Sequence, residues 1–313
     1  MQATVAKTTK IDFRPFTPED RALYERFLFA EKGERGCEFS FANLYLWGRQ
    51  SFACVNGNLL FFSQFDRRSV YPYPLVGEDA KEALDAIIAD ARARGIPCRI
   101  TGLTAVAKET VQALYPGQFR FHCDEGSFDY VYDIHDLAEL KGKKYHGKRN
   151  HISRFRAVYP ACEAKPITEE DVPRVKAMVE DWYTDRLKEN PNGDYHMERA
   201  ALDRALRHFG ELELEGLFLQ NGEDVLAMTL GSRLSNDTLD VHFEKARAGA
   251  DGAYAAINCE FANYIREKYP DIRFLDREED MGLEGLRKAK RSYHPHHMVE
   301  KCWACLLEDG YEY

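Results

Sequence analysis

The chain resembles itself. The segment RPFTPED, residues 14–20, recurs as KPITEED, residues 165–171. In each, a threonine (Thr17, Thr168) stands three residues before an aspartate (Asp20, Asp171), ahead of an amphipathic run. This is the pattern of a helix start, where a side-chain oxygen and an acidic first turn suit the unpaired N–H groups and the dipole. Asn56-Gly57 and Asn221-Gly222 each lie between apolar runs, the strongest short-range hairpin signal. Helix-like stretches follow at 78–95 and 250–270, then short strands at Cys98–Leu103 and Ile272–Asp276. A further helix and a last strand close each half, near FDYVYDI and MVEKCWACLL. The offset grows from 151 at the threonines to 165 at the Asn-Gly pairs and 174 between Arg99 and Arg273, as small insertions would produce. The bland alternative is one α/β domain with an unrelated appendage.

With 313 residues, the chain has the length of about two domains. The expected boundary lies near 140–163, giving domains at 1–150 and 151–313. In each half a meander of antiparallel strands is followed by a helix and a strand that can join in parallel. The fold class is therefore α/β (α+β), with mixed, mostly antiparallel sheets flanked by helices. This element order resembles the GNAT acyltransferase fold, taken twice in tandem.

Composition removes several classes. No run of about 18 uncharged apolar residues marks a membrane span. The start, MQATVAKTTKIDF, has no apolar core or cleavage site of a signal peptide. Eight scattered cysteines in a large chain need not form a disulfide framework, so reduced thiols and a cytoplasmic setting are expected. A net charge of −9 makes a poor non-specific nucleic-acid binder and argues against specific DNA binding. Basic clusters therefore stand out.

The first cluster is KGKKYHGKRNHISRFR, residues 141–156, with seven Lys or Arg and no acidic residue. As a helix from about Tyr145 it sets Lys148 on a face with Tyr145, His151 or Ile152, and Phe155. Lys144, Lys148, Arg149, Asn150 and Arg154 are its candidate phosphate ligands. The bland reading is a solvated linker, against which Ile152 and Phe155 argue. The second cluster, GLRKAKRSYHPHH from Gly285, carries Arg287, Lys288 and Lys290. Its bland reading is a basic surface helix.

Strand-like LDVHFEKA sets Asp240, His242 and Glu244 on one face and Leu239, Val241 and Phe243 on the other. His242 and Glu244 are candidate general bases. A solvated face with a cross-strand ion pair is the plain alternative. The loop 249–252 leads into a helix and offers backbone N–H groups, at Gly252, for a phosphate. His294, His296, His297, Cys302 and Cys305 resemble metal ligands. However, a strand sends Cys302 and Cys305 to opposite faces, so no metal is expected. The aromatic clusters at Tyr45–Trp47 and Trp182-Tyr183 read as core before pocket wall.

Taken together, three segments are similar to an uncharacterised bacterial family named for its likeness to the C-terminal catalytic domain of phosphatidylglycerol lysyltransferase. They are DYVYDIHDLAELKGKKYHGKRNHISRF, the hairpin 226–246, and FLDREEDMGLEGLRKAKRSYHP. The resemblance covers nearly the whole chain. It implies two tandem GNAT-like domains and transfer of an aminoacyl group from aminoacyl-tRNA to an amine or hydroxyl. The family's GLR-x-x-K segment looks like residues 285–290 here. That favours Lys290, supported by Arg287, as the cation facing a donor phosphate or oxyanion. The family's Asp-Leu-Met-Arg strand looks like His242-Phe-Glu-Lys245, with the acid become histidine and the arginine lysine. That departure, and the missing membrane domain, put a lipid acceptor in doubt.

The expected activity is therefore aminoacyl or acyl transfer to a small-molecule, peptide or lipid-headgroup acceptor, with no permanently bound cofactor and no integral membrane contact. The alternatives are an acyl-coenzyme A-dependent N-acyltransferase, with coenzyme A as co-substrate, and a non-catalytic binding protein. The N-terminal half, whose TVQALYPGQFR lacks a basic counterpart to 287–291, is expected to be mainly structural.

Overall fold

The computed structural model describes residues 10–31, 33–48, 50–65, 68–77 and 79–307. The signal-peptide reading falls largely on residues 1–9, outside these. Two compact units result, one from residues 1–128 and 299–313 and the other from 129–298.

The first unit holds strands β1 (Arg14–Pro15), β2 (Gln50–Val55), β3 (Asn58–Phe65), β4 (Arg68–Pro72), β5 (Arg99–Leu103) and β6 (Phe119–Cys123). Its helices are α1 (Arg21–Leu28), α2 (Phe41–Trp47), α3 (Ala80–Arg94) and α4 (Ala105–Leu114). The second unit begins with β7 (Asp129–Asp133), α5 (Ile134–Glu139), α6 (His146–Val158) and β8 (Glu163–Pro166). It continues with α7 (Val172–Glu189), α8 (His196–Arg207), β9 (Glu215–Asn221), β10 (Asp224–Arg233) and β11 (Thr238–Ala246). The chain then forms α9 (Ala253–Lys268), β12 (Phe274–Asp276), α10 (Glu284–Arg291), β13 (His297–Val299) and β14 (Cys302–Leu306).

The two sheets have matching orders, β1-β2-β3-β4-β5-β14-β6 and β8-β9-β10-β11-β12-β7-β13. Each contains one described parallel pair among antiparallel neighbours. β4 pairs with β5, and β11 with β12, in parallel. A helix crosses over there, α3 in the first sheet and α9 in the second, as parallel neighbours require. These are two tandem GNAT-like units.

The expected boundary at 150 differs from this division. β7 leaves the half that precedes it and sits between β12 and β13, while β14 returns between β5 and β6. Each half in sequence thus supplies the sixth strand of the other half's sheet. Alternation and turn signals give a strand's existence but not its sheet, because pairing is decided by tertiary register.

The repeated threonines act alike. The Thr17 N–H and hydroxyl donate to Asp20 Oδ2 at 2.9 and 3.1 Å, and those of Thr168 to Asp171 Oδ2 at 3.1 and 2.7 Å. The hairpins differ. Asn56 and Gly57 both take positive φ and join Val55 to Asn58, a type I′ turn. In the second, Asn221 pairs with Asp224, and Gly222-Glu223 make the turn. A bulge between Val225 and Ala227 absorbs the shift.

The cysteines also depart from expectation. Antiparallel pairing sets Cys302 opposite Cys123 with Cα atoms 4.3 Å apart, and the two form a disulfide. That spacing is at the short edge of what a disulfide usually spans. Sequence spacing hid it, since the partners are 179 residues apart. In the second unit α9 packs on the sheet with α5 and α6 beside it. Tyr132, Leu217, Val241, Phe261 and Leu275 are buried there, and burying a side chain of this size gives about 1.5–3 kcal/mol. That core fixes α6, β11 and the N-terminus of α9 around one cavity.

Candidate active site

The cavity, about 600 Å³, lies in the second unit and is lined by residues from α6, β11, the start of α9, the segment after β12, and α10. Central strand β11 has both faces covered, so its polar residues enter a low-dielectric setting instead of a solvated face.

His242 Nδ1 lies 3.2 Å from Asp240 Oδ2 and 3.7 Å from Glu278 Oε1, and Nε2 lies 2.8 Å from Ser232 Oγ. Burial works against its charge, but the two carboxylates outweigh burial and raise its pKa to about 10. The charged imidazole is thus favoured at neutral pH, with Nε2 in hydrogen-bond contact with Ser232 Oγ. An imidazolium has no lone pair with which to accept a proton. Expected as a candidate base, His242 is therefore biased toward its charged form by Asp240 and Glu278. Glu244 Oε1 accepts from Arg277 at 3.0 Å, and its other oxygen lies 3.5 Å from Asn258 Nδ2.

Lys148 faces the cavity from α6. Its Nζ donates to Ser292 Oγ at 2.7 Å and lies 3.6 Å from the Tyr293 ring centre, a cation–π distance. Burial and then Arg277 lower its pKa to about 8. Lys290 also lines the cavity, as expected, and burial lowers its pKa. Its ammonium donates to the carbonyls of Arg277 and Glu278. Gly252 caps α9 at φ +89°, and a Cβ there would stand 2.4 Å from the His151 carbonyl oxygen. Only glycine fits, so close packing on α6 accounts for this residue without a phosphate.

Other candidates lie outside the lining. Arg287 holds Asp280 through two hydrogen bonds, at 2.7 and 3.1 Å, and lowers that carboxyl to about 2. Arg149 donates to the carbonyls of Leu140 and Gly142, closing the turn after α5. Lys144 pairs with Asp136, and Arg154 contacts His151. Asn150 contacts His146, and Lys288 is exposed.

Sequence reasoning assigned no role to Arg277, Glu278 or Tyr293, all of which line the cavity. The signal was DREED, an unbroken charged run, 276–280, directly after an apolar strand. Among the described residues Asp240, His242 and Glu278 have the spacing of a cation site.

The model of the family "Phosphatidylglycerol lysyltransferase, C-terminal" matches residues 29–305. A conserved protein of unknown function from Bacteroides thetaiotaomicron has a similar structure, with TM-score 0.89 and 37% identity over 95% of this chain and 99% of that one. The structure of L-PGS from Bacillus licheniformis has the same fold, with TM-score 0.66 and 15% identity over 92% of each chain. An uncharacterized protein of Mycoplasmoides gallisepticum is 24% identical over 206 residues, 64% of this chain. The match spans 63% of that relative's length. No helix among the described residues is long and apolar enough to cross a membrane.

Proposed function

The chain belongs to the phosphatidylglycerol lysyltransferase C-terminal family, and on that premise we propose that it transfers an aminoacyl group from an aminoacyl-tRNA-type ester to an amine or hydroxyl acceptor. The acceptor is a small molecule, peptide or lipid headgroup. One observation carries the reading: a half-buried ammonium, Lys148, shares a cavity with a dense array of compensated buried charges. Such an array is preorganised, so it can meet a developing charge without reorganising.

Lys148 binds a donor phosphate or the carbonyl oxygen as it gains charge. Lys290 holds the backbone of 277–278 and has a third donor for the same oxygen. Exposed Lys144, Arg154 and Lys288 meet more distant phosphates of an extended donor. Arg149 and Arg287 position backbone and loop. An acyl-coenzyme A donor is the second reading, favoured by the N-terminus of α9 opening at the cavity at Gly252.

Thermal melting tests both. A ligand at about 100 times its Kd adds about 2.7 kcal/mol to the folded state. A mixed aminoacyl-tRNA preparation is expected to raise the melting temperature, less so at high salt, and not in Lys148→Ala. Because Lys148 loses its proton near pH 8, the shift is expected to fade as pH rises through 8 and to persist in Lys148→Arg. A shift with acetyl-coenzyme A alone replaces the first reading with the second. No shift with either leaves a binding protein without transfer chemistry.

A further inference from the structure

The backbone of the cavity carboxylate Glu278 is held in place from several directions. It has φ +59°, a left-handed conformation that a non-glycine residue adopts only at a cost. Its N–H donates to Asp276 Oδ1 at 2.8 Å, and its carbonyl accepts from the Tyr130 N–H at 3.1 Å and from Lys290 Nζ at 3.2 Å. On the far side of the loop, Asp280 is locked by Arg287 and by the Tyr130 hydroxyl. So constrained, the side chain lies with Oε1 3.7 Å from His242 Nδ1, yet 26% of it remains open to the cavity.

Two other carboxylates of the cavity face cations. Glu244 is held by Arg277, Glu198 by Lys245, and His242 is biased toward its charged form. We propose that Glu278 is the proton acceptor for the attacking nucleophile, and that the Asp240–His242 pair behind it is a positioning pair that aims its carboxylate. This rests on the acyl-transfer reading above and supplies the base that reading lacks.

The step balances within the site. The nitrogen or oxygen of the acceptor attacks the carbonyl carbon of the donor ester, and its proton passes to Glu278. As the new C–N or C–O bond forms and the old ester C–O bond breaks, the same proton passes from Glu278 to the departing hydroxyl oxygen. The carboxylate is regenerated, and no further reactant enters.

A general base works best with a pKa near the working pH. The charged groups facing Glu278 set that value. Burial raises it, His242 lowers it, and Asp240 and Glu279 raise it, for a result of about 7. Lys290 donates to the carbonyls of the loop, and Arg277, next to Glu278 in the chain, is paired with Glu244. A carboxylate in this range deprotonates an amine during attack far more readily than an ordinary exposed one.

The test has two readouts on wild type, Glu278→Gln, Glu278→Asp and His242→Gln. The first is carboxyl carbon NMR of glutamate-labelled protein against pH, which needs no substrate. One resonance is expected to titrate near neutrality, to vanish in Glu278→Gln, and to move to higher pH in His242→Gln, where the stabilising cation is gone. The second is loss of ester from mixed aminoacyl-tRNA in the presence of free lysine, repeated with acetyl-coenzyme A as donor. Glu278→Gln is expected to slow turnover roughly 100-fold or more, with partial recovery in Glu278→Asp. In His242→Gln the acid limb of the pH profile is expected to move upward with the NMR titration, which a merely structural role would not produce. Turnover of either donor that Glu278→Gln leaves intact overturns the proposal while preserving the transfer reading. A Glu278 resonance in the ordinary carboxylate range overturns it even if neither donor reacts. Correct titration with neither donor consumed supports the proton-accepting site and counts against the donors.

Discussion

Asp240 and Glu278 both face the same nitrogen of His242, and the consequence reaches beyond chemistry to stability. The unfolded chain releases a histidine proton near pH 6.5, whereas the folded chain holds it to about 10. The stabilisation from this charge is therefore fully present below pH 6.5 and is lost as pH rises through 10. Glu278 acts in the same direction in a lower window: its carboxyl is raised to about 7, so stability also falls between about 4.5 and 7. Urea unfolding of wild type is expected to lose midpoint steadily from pH 6.5 to 9.5. His242→Gln is expected to start lower and stay flatter across that range. Parallel curves for the two proteins would show that His242 is neutral in the fold. Lysine at 148 and histidine at 242 were legible as chemistry-bearing residues from the sequence. Their protonation was not, because it depends on Glu278 and Arg277 from another part of the chain.

At the level of elements, the local signals held where local physics decides. The Thr-x-x-Asp starts, the Asn56-Gly57 turn, α6 beginning next to Tyr145 and the run of β11 all follow from patterns within a few residues. What was hidden is long-range. The basic segment 141–156 reads as one phosphate grip, yet Arg149 folds back onto carbonyls of the preceding turn, and of its candidate phosphate ligands only Lys148 lines the cavity. The loop 277–280 has no periodicity, and its geometry comes from Tyr130, Lys290 and Arg287. Gly252 joins two elements, since its Cα lies against the backbone of α6 where α9 begins. Gly252→Ala adds a methyl group 2.4 Å from the His151 oxygen at a φ that disfavours alanine. Its expected cost is about 2–4 kcal/mol, read as a drop in urea midpoint with unchanged slope. A variant as stable as wild type would mean that α6 slides freely along α9, and that Lys148 is not held where it is described.

On the scale of the whole molecule, the exchange of β7 and β14 makes each half in sequence depend on a strand from the other. β14 enters the first sheet between β5 and β6, and the Cys123–Cys302 disulfide fastens it to β6. A link that closes a loop of this length removes entropy chiefly from the unfolded chain, an effect of up to about 5 kcal/mol. Reducing the oxidised protein is therefore expected to lower the melting temperature by several degrees. The Cys123→Ser, Cys302→Ser double variant is expected to melt at the reduced temperature with or without reductant. The cavity's residues all belong to the second unit, and no member of its lining touches β14 in sequence. Donor binding measured below the first melting transition should then be unchanged by reduction. If binding instead falls in step with the disulfide, the strand exchange transmits more than stability, and the first unit can no longer be regarded as mainly structural.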